Sequence, residues 1–379
     1  MNRIVIVATI FFGIAAVLTA ALLLKGLVVG QPVSTTTPSP SPTVSPLSQL
    51  LTESPLATLP TSQPSPAPLP QQKTLPGGTQ VFQTFNNCGP AALSMALSHY
   101  GITVSQQQLG QQLRPYQHPR GDNDDKSVTL DEVAAKAREY GLLAYHRPAG
   151  DMELVKRFIA LDIPVLTRTW LHAGEDIGHF RLIKGYDDDS LQLIQDDSLQ
   201  GANLRYNYAD FLDLWRAFNY EFVVLVPPEK QAEAESILGE LLDERQAWQK
   251  SLGLAEAALQ ENPDDLYAGF NKSVALYHLN DYTGSTQAFA TIESRLPSRM
   301  LWYQLEPVLS YLKLGDTQKV LEIADKILAN QNRAYSELYF LKGVISQQQS
   351  DQSAAEEAFR LANFYNTTGS WKANLPETW

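Results

Sequence analysis

A cysteine, a histidine and a pair of aspartates stand along this chain in the order that thiol chemistry requires. Cys88, the only cysteine, lies in the run Gln83-Thr-Phe-Asn-Asn-Cys88-Gly-Pro-Ala-Ala-Leu93. Gly178-His179-Phe180 follows, and then Gln195-Asp196-Asp197. The nucleophile in such chemistry is the thiolate, and a free cysteine with a pKa near ~8.5 is mostly protonated at neutral pH. A helix N-terminus favours the anion, because its unpaired amides and the helix dipole attract negative charge. Pro90 suits a first helical turn, Leu93, Leu97 and Tyr100 recur at i, i+4 and i+7, and Gly101 reads as the stop. Cys88 therefore sits at a helix start.

The other parts needed are an imidazole, a group to orient it and an oxyanion donor. His179 opens a strand-like run, His-Phe-Arg-Leu-Ile-Lys-Gly-Tyr186, and Asp196 or Asp197 ends the next strand, Leu191 to Gln195. Gln83, five residues before the thiol, can add its side-chain amide to the Cys88 backbone N–H, although Gln80 competes for that part. His172 is a second imidazole, set in the loop His172-Ala-Gly-Glu-Asp176 rather than on a strand. A lone cysteine or a lone histidine is more often a core residue. Here the combination points to catalysis.

The two aspartates can be separated by register. The strands from His179 to Tyr186 and from Leu191 to Gln195 read as an antiparallel hairpin, in which paired residues share a face and side chains alternate. A two- or four-residue loop opposes Arg181 to Asp196 and sets Asp196 on the His179 face. A three-residue loop selects Asp197, because a one-residue slip flips every side chain. The even loop, without an obvious glycine bulge, is the expectation, and Asp196 with it.

Residues 78–228 resemble the papain-like bacteriocin-processing (double-glycine leader) peptidases and their stand-alone relatives. The residues carrying the resemblance are Gln83, Asn87-Cys88-Gly89-Pro90-Ala91, Tyr100-Gly101, Gly178-His179-Phe180, Gly185-Tyr186-Asp187 and Asp196. It implies a papain-like α+β domain with Cys88 as nucleophile, His179 as general base and acid, Asp196 as orienter and Gln83 as oxyanion helper. Asp197 stands where a proline often follows the orienting aspartate, which leaves the choice between the neighbours open. No ABC-transporter domain accompanies the segment, so the double-glycine substrate does not carry over.

The surrounding elements fit that fold. Thr129 with Glu132 makes a capping box for a helix through Tyr140, Glu153 to Leu161 reads as another helix, and Ile163 to Trp170 as a strand with proline near its start. Phe222-Val-Val-Leu-Val226 is the closing strand. Helices followed by antiparallel strands give an α+β order. The acidic stretch Gly121-Asp-Asn-Asp-Asp125 is not a calcium loop: counted from Asp122, Ser127 and Val133 fall where an EF-hand needs Gly and Glu. No metal or cofactor is expected.

From Glu229 onward the pattern is helical and repeats. Asn280-Asp281, Gly315-Asp316 and Ser350-Asp351 recur at a spacing of 35. Seven residues before each pair stand Ser273, Val308 and Gly343, and eight after each aspartate stand Phe289, Ala324 and Phe359. Asn262-Pro263 and Leu296-Pro297 mark two helix boundaries. This resembles tetratricopeptide repeats with a degenerate middle copy, an all-α solenoid whose concave side suits a peptide or protein partner. Trp302, Tyr303 and Tyr311 read as core.

At 379 residues the chain is too long for one core. The expected organisation is a transmembrane anchor or signal segment over 1–30, a disordered Pro/Ser/Thr-rich linker over 31–77, the peptidase-like domain over 78–228 and the repeats over 229–379. Ile4 to Leu24 is an apolar run flanked by Arg3 and Lys25, about the length that crosses ~30 Å of hydrocarbon. A cleaved signal is the alternative, but its apolar core is shorter and the small-residue site Thr19-Ala20-Ala21 falls inside the run. Arg3 keeps the amino end cytoplasmic and the remainder outside. A net charge of −12 without a basic patch argues against nucleic acid, and a single cysteine excludes an intrachain disulfide. The expectation is an extracytoplasmic, membrane-anchored cysteine peptidase acting on a peptide or protein. The alternatives are a thiol amidase or acyltransferase, or a catalytically silent binding scaffold.

Overall fold

Residues 68–116, 127–297, 299–329 and 332–375 are described by a computed structural model of the chain. The apolar run Ile4–Leu24, the Pro/Ser/Thr segment up to residue 67 and the acidic stretch Gly121–Asp125 lie outside the described residues. Among the described residues no helix is long and apolar enough to cross a membrane.

Residues 66–379 form one compact unit. Its first part runs β1 (Gln72–Thr74), α1 (Cys88–Ser98), α2 (Gln106–Leu113), α3 (Leu130–Arg138), β2 (Leu143–Arg147), α4 (Met152–Ala160), β3 (Val165–Trp170), β4 (Gly178–Asp187), β5 (Gln192–Asp197), β6 (Gly201–Asn207), α5 (Tyr208–Trp215) and β7 (Phe222–Val226). The strands make one antiparallel sheet in the order β2-β7-β3-β4-β5-β6, with β1 on the far half of β4. The expected linker thus ends earlier than residue 77, since Lys73 pairs with Tyr186 and Thr74 with Gly185. Strands β2 and β6 were not anticipated. Nor is β7 an edge: it lies between β2 and β3.

Both faces of the sheet are covered. Val223 and Leu225 join Leu166, Phe180 and Leu182 against α1 and α3. Phe222, Val224 and Val226 join Val165 and Ile183 against Phe158 of α4 and Phe211 of α5. A strand buried on two faces reads as a continuous apolar run rather than an alternation, as 222–226 does. The Thr129–Glu132 capping box is formed at the start of α3.

The hairpin carries the decisive irregularity. Asp187 pairs with Gln192 across a four-residue loop, and Gly185 with Ile194, in the expected even-loop parity. The register then shifts between Ile183 and Gly185, so that Ile183 faces Gln195, Leu182 faces Asp196 and Arg181 faces Asp197. Lys184 is the extra residue of a β-bulge. Its neighbour Gly185 is glycine for a steric reason: a Cβ there would stand 2.8 Å from the Lys73 carbonyl of β1.

The second part consists of α6 (Gln231–Leu238), α7 (Glu244–Glu261), α8 (Leu266–His278), α9 (Tyr282–Ile292), α10 (Met300–Tyr303), α11 (Glu306–Lys313), α12 (Thr317–Ala329), α13 (Ser336–Gln348) and α14 (Gln352–Tyr365). The 35-residue repeat has a local cause. Asn280, Gly315 and Ser350 all adopt positive φ, and each following aspartate caps the next helix: Asp281 accepts from Gly284 N, Asp316 from Lys319 N and Asp351 from Ala354 N. The small positions allow close pairing, for a Cβ on Gly343 would stand 2.5 Å from the Phe359 ring. The α+β domain and the helical-repeat part are therefore as expected in class. Trp170, Leu214, Ala217 and Phe218 of the sheet half are continuous with the helical core of Phe270, Phe289 and Tyr303.

Two glycines give opposite tests. Gly185→Ala is expected to lower the urea-unfolding free energy by about 1–3 kcal/mol through overpacking. Gly253→Ala, in mid-α7 with open space around the new methyl, is expected to raise it by about 0.5–1 kcal/mol. Equal effects of one sign would contradict the packing described.

Candidate active site

Cys88 is the first residue of α1, as its sequence context implies, and is 8% exposed. Its backbone N–H is one of the orphan donors of a helix start. Gly89 lets the helix approach β4 closely, since a Cβ there would lie 3.1 Å from Val128 and 3.3 Å from the Phe180 ring. That approach sets the thiol where the His179 side chain and the Phe180 backbone amide both act on it electrostatically.

His179 Nε2 lies 3.0 Å from Asp197 Oδ1, which leaves Nδ1 as the nitrogen toward the thiol. Asp197 is further held by Arg181 Nη1 at 2.8 Å on its other oxygen, and it accepts from the Leu199 and Gln200 amides at 2.7 and 2.9 Å. Arg181 in turn donates to Thr169 Oγ1 and the Leu171 carbonyl. Arg181 and Asp197 are fully buried and His179 is 1% exposed.

The structure thus brings Asp197 to His179 and not Asp196, which corrects the expectation. The four-residue loop alone would have given Asp196. The bulge at Lys184 adds one residue to β4 and reverses the parity of every pair beyond it. Asp196 points to the other face, where its Oδ1 is 2.8 Å from Lys184 Nζ and accepts from Asn203 N. The bulged lysine and the displaced aspartate satisfy each other.

Each member of the chain titrates away from its ordinary value. Burial pushes the Cys88 thiol up, but the hydrogen bond and charge of His179, the charge of Arg168 and the Phe180 amide bring it below the usual range. Burial pushes His179 down, and Asp197 with Cys88 outweighs this and raises it. Burial likewise opposes the Asp197 carboxylate, yet His179, Arg181 and the Leu199 amide lower it to about 2. The two shifts on Cys88 and His179 both favour the thiolate–imidazolium form over the neutral pair, beside an Asp197 carboxylate.

Gln83 lies in the loop before α1, where its Oε1 accepts from Ser198 Oγ at 2.7 Å and its N donates to the Ser198 carbonyl at 2.8 Å. Its Nε2 has no acceptor among the described residues. Gln80 has another task, donating to the Asp197 carbonyl at 2.7 Å. His172 is exposed in its loop. Several neighbours escaped the sequence reading. Gln106 ties the loop by accepting from Thr84 N and donating to the Phe82 carbonyl. Arg114 donates to Asn87 Oδ1 at 2.9 Å. Arg168 is 3% exposed, lies 4.8 Å above the Phe180 ring, and donates to the Val128 and Tyr303 carbonyls. The signal for Arg168 was there, as the one charged residue in the apolar run 163–170.

A cavity of about 320 Å³ is not lined by Cys88, His179 or Asp197. Its walls include Arg168, Trp248, Tyr303 and Glu306, and His146, which bridges Asp131 and Glu221 at 2.7 Å each. Among the described residues no group of His, Cys, Asp and Glu could hold a metal ion.

Residues 66–223 match the family model described as a Peptidase_C39 like family, the family resemblance read from the sequence. No curated protein matches the chain. Among solved structures, a C39-like peptidase from Bacillus anthracis is 16% identical, over 41% of this chain and 97% of its own, with a TM-score of 0.34. The peptidase domain of Streptococcus ComA, a bi-functional ABC transporter of a quorum-sensing pathway, is 22% identical over 39% and 97%, with a TM-score of 0.31. A double glycine motif protease from an AMS/PCAT transporter, in complex with the leader peptide, is 20% identical over 41% and 96%, with a TM-score of 0.28.

The pH dependence of Cys88 alkylation tests the geometry. The rate should rise as pH passes the thiol's lowered value, giving a shoulder below the ~8.5 of a free thiol. Asp197→Asn is expected to slow alkylation at neutral pH about tenfold, as one pKa unit would, and Asp196→Asn by less than about twofold. The reverse ranking would return the role to Asp196. In acid, the stability that Asp197 contributes is complete above its unfolded value of ~3.9 and is lost as pH falls through about 2.

Proposed function

We propose that the chain is a cysteine peptidase in which Cys88 is the nucleophile, His179 the general acid and base, and Asp197 the group that orients the imidazole. Gln83 Nε2 and the Cys88 N–H are the oxyanion donors. The reading is carried by one observation, the buried His179–Asp197 pair at 3.0 Å with the Cys88 thiol under the influence of His179, and the family match over 66–223 supports it.

The Cys88 thiolate attacks the scissile carbonyl carbon, forming a C–S bond while the carbonyl electrons move onto oxygen. The two N–H donors stabilise that oxyanion. Collapse breaks the C–N bond, and His179 gives its proton to the departing amine. His179, now neutral, takes a proton from water as the water adds to the thioester. The second tetrahedral species expels the thiolate, and the product acid leaves. Asp197 keeps the ring in place and stabilises the imidazolium without itself becoming protonated, consistent with its depressed pKa.

The helical repeats serve substrate or partner binding in this reading. From the sequence, Ile4–Leu24 anchors the chain in a membrane and the Pro/Ser/Thr-rich segment from residue 31 up to β1 spaces the catalytic part from it on the extracytoplasmic side.

The test is a thiol-directed activity probe followed by peptide-library digestion, with and without an added amine. Labelling of the wild-type chain but not Cys88→Ala, together with cleavage that His179→Ala lowers about 10²–10⁴-fold, is expected. Acyl transfer to the amine in place of cleavage would make it a transferase. Failure of the probe to label Cys88 would leave a binding scaffold.

A further inference from the structure

The strand that bears His179 is held at its first residue by the helical half. Gly178 N donates to Tyr303 Oη at 2.9 Å, the same hydroxyl lies 3.4 Å from the Asp176 carbonyl, and Asp176 Oδ1 is paired with Arg299 Nη1 at 2.7 Å. The ring seats directly on the glycine: a Cβ at Gly178 would stand 2.9 Å from the Tyr303 ring. Trp170, paired with Gly178 across β3 and β4, packs edge-on against the same ring at 6.0 Å. The Tyr303 carbonyl accepts from Arg168, whose guanidinium lies 5.4 Å from the Tyr303 ring and whose charge bears on Cys88. Tyr303 is 5% exposed and comes from α10, far along the chain from every group of the thiol site.

We propose that Tyr303 of the helical half is a positioning residue of the thiol site, fixing the start of β4 so that the His179 ring stays in register with Cys88. The repeats are then a structural part of the active site as well as a binding surface. A sheet half without them leaves Gly178 N–H and the Arg168 guanidinium each short of a partner, in a place where an unmade hydrogen bond is costly. The inference rests on the reading of Cys88 as a thiolate nucleophile.

The charged groups bearing on His179 and Cys88 are Asp197 from β5, Arg181 from β4, Arg168 from β3 and Arg114 after α2. None belongs to the helical half. Removing the Tyr303 hydroxyl therefore removes no charge, and a changed titration must come through geometry.

The experiment compares Cys88 alkylation against pH in the full chain, in Tyr303→Phe and in Gly178→Ala, with thermal melts alongside. Tyr303→Phe keeps the ring and its packing. It is expected to move the low-pH shoulder upward and to slow alkylation below neutral pH about three- to tenfold, the size set by loss of one hydrogen bond. Gly178→Ala attacks the same contact from the strand side and is expected to move the shoulder in the same direction. Superimposable curves for the wild type and both variants would overturn the proposal while leaving the peptidase reading intact. A smaller amplitude at an unchanged midpoint would mean partial unfolding only, and would overturn it too. An ordinary thiol curve in the wild-type chain would overturn both readings at once.

Discussion

Four ionisable groups lie side by side out of water here, and the charged form of none could be buried alone. Asp197 and Arg181 are fully buried, His179 nearly so, and Cys88 sits beneath the loop that precedes it. A lone charge in such a place would neutralise itself or unfold its surroundings. Taken together as carboxylate, guanidinium, imidazolium and thiolate, the four sum to no net charge, and Asp197, Arg181 and His179 have partners at hydrogen-bond distance. The sheet's function is to hold that set together.

Balance depends on which aspartate faces inward, and a single inserted residue decides it. Before the bulge the hairpin follows the parity of its four-residue loop; beyond Lys184 every pair has changed face. Gly185 makes room for β1 at that point, so the short strand before the catalytic helix and the bulge are parts of one arrangement. Asp196 does not go unpaired as a result, because the inserted residue is a lysine that meets it at 2.8 Å. On the other side of the site, Gln106 and Ser198 tie down the loop bearing Gln83. The loop before α1 and the residue after β5 are thereby joined by direct hydrogen bonds rather than through the helix alone.

The helical half follows a simpler logic. A residue at positive φ, then an aspartate cap, then an apolar face, recurs every 35 residues and needs only local chemistry to specify it. Its attachment to the sheet half is not local. Tyr303 on Gly178, Asn374 on Thr129, and Ser370 and Thr368 on the end of α2 are contacts between segments far apart in the chain.

The sequence by itself determined the thiol at a helix start, the imidazole at a strand start, the Thr129–Glu132 capping box and the repeat period. Each depends on neighbours within one or two turns, where spacing and side-chain type are enough. It also limited the orienting group to two adjacent aspartates. Choosing between them was beyond it, since the choice depended on a bulge in β4 next to the place where the backbone of β1 lies over Gly185. Arg168 was visible as a charge in an apolar strand, but its value to Cys88 came from Phe180, Val128 and Tyr303, which only folding gathers around it. Parity, burial and long-range charge are properties of the packed chain, because a one-residue change of register leaves local propensity untouched while reversing which side chains meet.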